Sequence, residues 1–356
     1  MTREAPQIPG DPFGTHRALE PEGALPQQAQ RLDNDVSRLF RGELLVAVET
    51  LNIDAASFRQ MEEDAARNAE EPAGGVAKRV LATVAQRGKQ HNPVTGSGGM
   101  LLGRIEAVSA DHPDAERLLP GDRIATLVSL SLTPLRIDRV RAVRPASAQI
   151  DVDGSAVLFA TGAYARIPAD LPERVSLAAL DVAGAAPQVA RLVTPGTSVC
   201  ILGAGGKSGV LCAAEARRRG GPEAQIIGIE SHPAYAEELR ALGLCNAVIV
   251  ADARDAVAVR REVLAASGGR EVDVAISCVN VPDAEMSAIL VTRDRGTVYF
   301  FAMSTSFTKA ALGAEGVGKD VDLMIGNGFA RGHAEHTLDM LRTMPALRAL
   351  FEKRYG

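Results

Sequence analysis

The sequence predicts an α/β protein with a β-rich first domain and a doubly wound parallel sheet in the second. Short β-branched and aliphatic runs bounded by Gly, Pro or Asp characterise residues 1–170. From residue 171 onwards, apolar strands alternate with helix-like segments, which is the pattern of parallel sheets covered by helices on both faces. A chain of 356 residues is also too long for one ordinary core, so two domains are expected.

Charge and composition indicate which kind of molecule this protein binds. The formal net charge is −5, the pI is about 5.8, and no basic block is present. These values disfavour nucleic acid and anionic membrane as partners and favour a small metabolite. No stretch approaches the roughly 20 apolar residues of a membrane span, and the first residues lack the apolar core of a signal peptide. We therefore expect a cytoplasmic protein.

The first domain contains four predicted strand regions and one helical insertion. The insertion, residues 54–88, has a helical composition that is interrupted at residues 72–75. It predicts two helices, which are either a flap, an oligomer contact or a solvated decoration. The strand regions are residues 42–54, 100–109, 122–130 and 156–168.

Six apolar runs in the second domain predict a doubly wound parallel sheet. Their spacing leaves room for a helix between most successive strands. The runs are residues 198–203, 225–230, 247–250, 272–277, 296–301 and 321–326.

The glycine-rich stretch ILGAGGKSG, residues 201–209, carries two overlapping phosphate-binding signatures. Gly206, Lys207 and Ser208 resemble the end of a nucleoside-triphosphate P-loop. The first glycine of that motif would fall at Ile201, so the P-loop interpretation fails. An ATPase is therefore not expected.

Gly203 and Gly205 instead follow the first strand of the parallel sheet and precede a helix, where a dinucleotide pyrophosphate meets backbone N–H groups. The third glycine of the G-x-G-x-x-G fingerprint is replaced by Ser208, and a glycine follows at Gly209. Whether Gly209 can take over the packing role of the missing glycine is left open by the sequence.

Glu230 ends the second strand, where a carboxylate can accept hydrogen bonds from the adenosine ribose. A negative charge at this position repels a 2′-phosphate, so NAD is the expected cofactor. Ser231 and His232 follow directly and leave NADP possible.

The four cysteines, all in the second half, have no C-x-x-C spacing, so reduced and buried thiols are expected rather than a disulfide framework or a zinc cluster. They are Cys200, Cys212, Cys245 and Cys278.

Three further segments resemble the medium-chain dehydrogenase/reductase superfamily: residues 93–108, 118–125 and 176–206. This resemblance implies a GroES-like substrate and catalytic domain over residues 1–170. It also implies a Rossmann NAD(P)-binding domain, ending in a helix, over residues 171–356.

The positions that carry catalytic zinc ligands in zinc-dependent members of that superfamily are occupied here by Asp54, by Gly99 and Met100, and by Ala178. The resemblance therefore implies a metal-free enzyme. Without a Lewis acid to stabilise an alkoxide, an amine is a better substrate than an alcohol, because the lone pair of a neutral amine itself drives hydride departure.

A closer resemblance is to the L-erythro-3,5-diaminohexanoate dehydrogenase family of lysine fermentation. It is carried by residues 16–34, 48–60 and 296–341. It implies NAD(P)-dependent oxidative deamination of (3S,5S)-3,5-diaminohexanoate at C3, giving 5-amino-3-oxohexanoate and ammonia. A homodimer or homotetramer is expected from the superfamily, and the sequence does not choose between them.

Such a substrate carries two ammonium groups and one carboxylate, so its site should offer both acids and a cation. Asp54 is the first candidate for general base or ammonium anchor, although an Asp after a strand is also a common helix cap. Lys309 can hold the substrate carboxylate or, if desolvated, transfer a proton. His91 can shuttle protons near neutral pH, although a lone histidine in a polar loop is often simply exposed.

The remaining candidates come from predicted loops. Asn280 and Ser304 follow later strands of the parallel sheet and are candidate cofactor contacts, with turn capping as the alternative. Thr95 and Ser97 are candidate substrate contacts, and Glu315 lies in a glycine-rich stretch, residues 313–322, that is either a mobile lid or an ordinary connection. The candidate cofactor-binding residues are Gly203, Gly205, Gly206, Lys207, Ser208, Glu230, Asn280 and Ser304.

Two other functions remain open at this point. A zinc-free quinone or enoyl reductase of the same fold would use NADPH and an apolar substrate, which Glu230 and the acidic candidates disfavour. A non-catalytic nucleotide-binding protein would be favoured if Asp54 and Lys309 were remote from the nicotinamide.

Overall fold

The computed structural model describes residues 9–92, 96–326 and 328–356. The chain forms two compact units that divide between Ile167 and Pro168. The first unit contains an antiparallel six-stranded sheet and the second a parallel six-stranded sheet, so the predicted fold class is confirmed.

The first unit consists mainly of strands, with one helical hairpin. Its elements are β1 (Ala18–Glu20), β2 (Arg31–Leu32), β3 (Leu44–Asn52), α1 (Ala55–Arg67), α2 (Pro72–Arg87), β4 (Met100–Val108), β5 (Arg123–Thr126), β6 (Leu135–Arg144), β7 (Gln149–Leu158) and β8 (Tyr164–Arg166), with short 3₁₀ turns at Thr15–Arg17, Leu130–Leu132 and Pro145–Ser147.

The second unit alternates helices and strands. Its elements are α3 (Glu173–Leu180), α4 (Ala185–Leu192), β9 (Val199–Leu202), α5 (Lys207–Gly220), β10 (Ile226–Glu230), α6 (Pro233–Ala241), β11 (Ala247–Val250), α7 (Ala256–Ala266), β12 (Val272–Ser277), α8 (Glu285–Val291), β13 (Thr292–Phe300), α9 (Phe307–Gly316), β14 (Asp322–Ile325), α10 (His333–Thr343) and α11 (Pro345–Tyr355).

The antiparallel sheet has the strand order β6-β7-β3-β4-β5-β8. Its apolar face packs on the helical hairpin, with Leu51, Leu101 and Val80 fully buried in one core. The sequence did not predict β6, because this edge strand is rich in arginine and mostly solvated. The region predicted as one strand over residues 156–168 is two strands, separated by a turn in which Gly162 donates its N–H to the Phe159 carbonyl.

The helical insertion contains two helices, as predicted, but the break lies elsewhere. Pro72 begins α2 instead of interrupting it, which suits a residue whose missing N–H and fixed φ cost nothing in the first turn. Gly75 lies inside α2, where a Cβ atom would come 2.4 Å from the Ala65 Cβ. Gly75, which was predicted to break the helix, therefore allows α1 and α2 to pack closely.

A buried ion pair fixes the N-terminal segment to the start of β3. The Arg17 guanidinium, which is fully buried, donates from Nε and Nη2 to the two carboxylate oxygens of Glu43 at 2.6 and 2.7 Å. Further Arg17 N–H groups donate to the carbonyls of Asp33, Asp35 and Arg38. The charges are thus paired and hydrogen-bonded, as burial requires.

The parallel sheet has the strand order β11-β10-β9-β12-β13-β14. Numbered within the sheet this is 3-2-1-4-5-6, the order of dinucleotide-binding folds. The direction of winding reverses between β9 and β12, so a ligand crevice is expected at the carboxyl ends of these two strands. All six predicted strands of this unit are present.

All four cysteines are free thiols, as expected. Cys200 and Cys212 are buried, whereas Cys245 and Cys278 are partly exposed, which corrects the expectation that all four are buried. Among the helices of the described ranges, none is both long and apolar enough to cross a bilayer.

Candidate functional site

Asp54 follows β3 and caps α1. One carboxylate oxygen, Oδ1, accepts the Ser57 N–H at 2.8 Å, which is the ordinary N-cap bond. The other oxygen, Oδ2, is buried and has no hydrogen-bond partner within the described residues. The cap that the sequence suggested as the alternative is therefore real, but it uses only half of the carboxylate.

Two further unpaired acceptors lie in the loop that follows α2, residues 88–92. Gln90 is 2% exposed, and its Oε1 is buried without a partner in the described chain. The adjacent His91 is only partly exposed, and its Nδ1 is likewise buried and unpaired there. We call Asp54, Gln90 and His91 the acceptor cluster, because the segments that carry them pack on the same pair of glycines, Gly98 and Gly99.

The segments that carry the acceptor cluster pack on one another. A Cβ on Gly99 would lie 2.3 Å from the Asn52 carbonyl oxygen, and a Cβ on Gly98 would lie 2.3 Å from that of Gln90. The end of β3 and the loop therefore each pack on the segment before β4, where no side chain fits at these two positions. The Asn92 side chain also donates to Gln60 Oε1 of α1 at 2.7 Å, which ties the loop to the helix that Asp54 caps.

The electrostatic environment keeps His91 neutral. Burial, together with the charges of Lys89 and Arg87, lowers the pKa of His91 below its ordinary value. Lys89 is itself buried, and burial with the charge of Arg87 lowers its pKa to about 8. Its ammonium donates to the Pro26 carbonyl at 2.7 Å and so fixes the loop to the N-terminal segment. At neutral pH one His91 ring nitrogen is therefore an acceptor.

Of the two predicted substrate contacts in this loop, Thr95 lies outside the described residues. Ser97 is partly exposed, and its hydroxyl accepts the Gly99 N–H at 3.3 Å. The Ser97 side chain thus helps to shape the turn beside the acceptor cluster.

In the second unit, Gly203, Gly205 and Gly206 form the turn between β9 and α5. Gly203 has φ +72° and donates its N–H to the Ile229 carbonyl at 2.8 Å, and a Cβ there would come 3.1 Å from the Cys278 carbonyl oxygen. Gly209 lies one position after the missing third glycine of the fingerprint, and a Cβ on it would lie 2.1 Å from the Gly203 oxygen. Gly209 therefore makes the close approach usually made by the third glycine.

The amino end of α5 is suited to an anion. Gly206 is its N-cap, and no side chain in the described residues caps this end. The first N–H groups, of Lys207, Ser208 and Gly209, are consequently available for a pyrophosphate. The Lys207 side chain is engaged elsewhere, because its ammonium donates to Asp181 at 2.7 Å.

Glu230 supports this turn from the end of β10. Its Oε2 accepts the Gly205 N–H at 3.0 Å, and its Oε1 accepts the His232 N–H at the same distance. Each oxygen retains a lone pair, and Glu230 lines a cavity of about 380 Å³ at the carboxyl ends of β9, β10 and β12. These residues fit a dinucleotide, because the cavity offers space for it and the uncapped end of α5 offers N–H donors for its pyrophosphate.

Asn280 lines the same cavity, whereas Ser304 has a supporting position. The Ser304 hydroxyl donates to the Val279 carbonyl at 2.9 Å and thereby holds the loop that carries Asn280. Turn capping, the alternative proposed from the sequence, describes Ser304 in this structure.

Lys309 and Glu315 both lie on α9 and are exposed. The Lys309 ammonium, 59% exposed, pairs with Asp283, and this hydrogen bond raises the pKa of Lys309. Lys309 is therefore not desolvated, and desolvation was the condition for its predicted role in proton transfer. Residues 313–316, predicted as part of a lid, are the last turn of α9, where Gly313 allows contact with Met286.

Arg354, close to the end of the chain, binds the glycine turn and was not predicted. Its Nη1 donates to the Gly205 carbonyl at 2.7 Å, and its guanidinium lies 4.4 Å from the ring centre of Tyr235, which lines the cavity. Its Nε donates to Glu238, which Lys353 also contacts. No motif marks Arg354, since only the fold brings α11 to the turn.

Replacing Arg354 with Met is expected to raise the Kd for the nicotinamide cofactor about tenfold, because a hydrogen bond from a charged group contributes about 1.5–3 kcal/mol. Lys353→Met is the matched control, since it removes an exposed charge from Glu238 but leaves the Gly205 contact intact. Isothermal titration calorimetry with the cofactor measures both Kd values. Equal effects of the two variants would assign the loss to Glu238 and contradict a role of the Gly205 contact.

Asp54, Gly99, Met100 and Ala178, the positions compared above with zinc ligands, include one carboxylate and no histidine or cysteine. Across the ranges that the structure covers, no three His, Cys, Asp or Glu side chains lie close enough to hold a metal ion.

Comparison with known proteins identifies related sequences along nearly the whole chain. A family model described as the L-erythro-3,5-diaminohexanoate dehydrogenase N-terminal domain matches residues 16–168. A curated L-erythro-3,5-diaminohexanoate dehydrogenase of Acetoanaerobium sticklandii is 51% identical over 97% of this chain and 99% of its own. Its namesake from Fusobacterium nucleatum is 49% identical with the same coverage.

Solved structures share the fold at much lower identity. The Escherichia coli quinone oxidoreductase, crystallised with NADPH, superposes with a TM-score of 0.53 at 16% identity, covering 86% of this chain and 80% of its own. At that identity the similarity shows the fold alone, which is the predicted medium-chain dehydrogenase/reductase architecture.

Proposed function

The chain belongs to the L-erythro-3,5-diaminohexanoate dehydrogenase family, and on that basis we propose that it oxidatively deaminates (3S,5S)-3,5-diaminohexanoate at C3. The products are 5-amino-3-oxohexanoate, ammonia and the reduced nicotinamide cofactor. A dehydrogenase of this family needs a nicotinamide site and a site for an amine.

The acceptor cluster is the observation that carries the amine site. Asp54 Oδ2, Gln90 Oε1 and His91 Nδ1 are three buried polar atoms without partners among the described residues, and Nδ1 is an acceptor in the tautomer that carries its proton on Nε2. An unpaired buried polar group costs about 1–3 kcal/mol, so a ligand that supplies donors is stabilised there. An ammonium group offers three N–H donors, whereas a ketone or quinone offers none. The cluster thus favours an amine over the substrate of a quinone reductase.

The cluster also supplies the groups that the reaction requires. We assign to Asp54 the binding of the reacting ammonium by charge, and to neutral His91 the acceptance of its proton. The neutral amine then releases the C3 hydride as its lone pair forms the C=N bond, and water hydrolyses the iminium. The nicotinamide, when bound, supplies the hydride acceptor.

NAD is the cofactor that we propose. Glu230 places a carboxylate in the wall of the cavity, where a 2′-phosphate would meet a like charge. Arg254, a cation in the same wall, already forms a two-point ion pair with Asp252 and lowers the pKa of that carboxyl to about 2. Asp252 thus offsets the charge of Arg254 and weakens its attraction for a phosphate.

The remaining roles stay predictions. Lys309 is assigned to the substrate carboxylate, which an exposed lysine can bind as a point charge, with Glu315, Thr95 and Ser97 as further substrate contacts. A homodimer or homotetramer in the cytoplasm, with a small molecule as the only ligand class, remains the expected state.

The reaction is tested by measuring reduction of NAD by the purified protein with the diamino acid, in parallel with NADP and with a simple secondary alcohol. We expect turnover with the diamino acid, a higher kcat/KM with NAD than with NADP, and no change when a chelator is added. Loss of activity on chelation, or preference for the alcohol, would refute a metal-free amine dehydrogenase. Reduction of an enone or quinone by NADPH without amine turnover would favour the reductase alternative.

A further inference from the structure

Two thiols lie in contact beside the cofactor cavity. The sulfur atoms of Cys212 and Cys278 are 3.7 Å apart, and both residues are free thiols. Cys212 is buried in α5, the helix that begins at the glycine turn, and Cys278 directly follows β12. The proposed reaction uses neither of them.

The main chain of Cys278 is part of the cofactor site. Its N–H donates to the Leu202 carbonyl at 2.9 Å, and its carbonyl oxygen lies where a Cβ on Gly203 would approach to 3.1 Å. Cys278 also lines the cavity, and it is partly exposed. A displacement of Cys278 is therefore transmitted to the surface on which a dinucleotide would lie.

The two thiols differ in a way that suits sequential oxidation. The hydrogen bond to Cys278, with burial, raises the pKa of Cys212 well above that of an ordinary thiol, so Cys212 keeps its proton. Cys278 is the sulfur that an oxidant can reach, and Cys212 is close enough to resolve the product. An accessible cysteine beside a resolving cysteine is the arrangement of thiol redox sites.

We propose that Cys212 and Cys278 form a redox modification site, at which hydrogen peroxide converts the two thiols into an intramolecular disulfide that weakens cofactor binding. In the first step the Cys278 sulfur attacks the peroxide, the O–O bond breaks, and a sulfenic acid and one water form. In the second step the Cys212 sulfur attacks that sulfur, the S–O bond breaks, and the departing hydroxide leaves as water with the Cys212 proton. Both sulfurs are oxidised, and the two peroxide oxygens are reduced.

Closing the bond changes the cavity. A disulfide needs its sulfurs about 2.05 Å apart, so Cys212 and Cys278 must approach by more than 1 Å from their contact distance. Since Cys212 is held in a buried helix, Cys278 and its loop move away from the cavity wall. A misplacement on this scale weakens ligand interactions by about tenfold or more. Bound cofactor should in turn cover Cys278 and slow its oxidation.

The test treats the cofactor-free protein with a slight excess of hydrogen peroxide, removes the excess with catalase, and alkylates the remaining thiols after denaturation, because Cys200 and Cys212 are buried in the folded chain. We expect two of the four cysteines to escape alkylation, a mass loss of about 2 Da, and a peptide that links Cys212 to Cys278. The Kd for NAD should rise about tenfold and return on treatment with dithiothreitol. NAD added before the peroxide should protect the pair. Failure of the untreated protein to bind NAD would count against the proposed function instead.

Two variants make the result specific. Cys212→Ala should form no disulfide, and its Cys278 should be trapped by a sulfenic-acid reagent. Cys245→Ala, which removes another partly exposed cysteine of the same unit, should respond to peroxide as the natural chain does. Four alkylated cysteines after treatment, a linked peptide with an unchanged Kd for NAD, or Cys212→Ala losing cofactor affinity reversibly like the natural chain would each overturn the proposal.

Discussion

Asp54→Asn is expected to lower kcat/KM for the diamino acid about 30- to 5,000-fold while leaving the protein folded, because loss of one partner of a buried charge pair costs about 2–5 kcal/mol. Asparagine is as good an N-cap as aspartate, so the bond to the Ser57 N–H is kept. What the variant loses is the negative charge, which we assign to binding the substrate ammonium. Steady-state kinetics at saturating NAD, with thermal unfolding as the control for the fold, measure the two effects separately.

Asp54→Ala separates the cap from the chemistry. It should lose activity to the same extent as Asp54→Asn and, in addition, about 1 kcal/mol of unfolding free energy through loss of the cap. If Asp54→Asn kept the natural kcat/KM, Asp54 would be a helix cap and nothing more, and the acceptor cluster would lose its only charged member.

Arg17→Met is expected to reduce the free energy of unfolding by about 3–5 kcal/mol, because it leaves the Glu43 carboxylate buried without its partner. Arg41→Met, which removes an ion pair with Asp111 that is half exposed, is the matched control and should barely move the denaturation midpoint. Chemical denaturation at neutral pH measures both variants. Similar midpoints for the two variants would mean that the Arg17 network does not hold the N-terminal segment.

The pH dependence gives an independent test of the Arg17 network. Burial alone would raise the pKa of Glu43, but hydrogen bonds from Arg17 and His16 outweigh it and hold the pKa below its ordinary value. Glu43 therefore contributes stability above its unfolded pKa, and the natural chain loses that contribution as the pH falls through the lowered pKa. In Arg17→Met the buried carboxyl lacks this partner, so burial raises its pKa above the ordinary value. Stability should then recover as the pH falls through the raised pKa, at higher pH than the loss in the natural chain. An unchanged slope would contradict this account.

How far the sequence predicts this molecule depends on whether a feature is local. The strands of the parallel sheet were predictable because a strand buried on both faces is a continuous apolar run, as in β9 and β12. The edge strand β6 was not, because its side chains face solvent and its arginines mask the alternation. The sequence left open whether Gly209 replaces the third glycine of the fingerprint. Only its close approach to the Gly203 oxygen shows that it does.

The site residues divide in the same way. Asp54 was predictable from its place after a strand. Its cap uses one carboxylate oxygen and leaves the other for the proposed role as general base or ammonium anchor. Gln90 and Arg354 were not predictable, because nothing local distinguishes a glutamine whose oxygen is buried and unpaired, or an arginine that reaches the glycine turn from the last helix. Lys309 was predicted from its charge alone, and the sequence did not show that it is exposed and forms an ion pair with Asp283.

In the proposed reaction, hydride transfer to NAD leads to removal of the C3 amine of the diamino acid. The most direct measurement is the ratio of ammonia released to NADH formed, followed in one reaction of the purified protein with (3S,5S)-3,5-diaminohexanoate and NAD. Equal amounts of the two products, appearing at the same rate, are the predicted result. NADH formed without ammonia, or ammonia released without NADH, would contradict oxidative deamination.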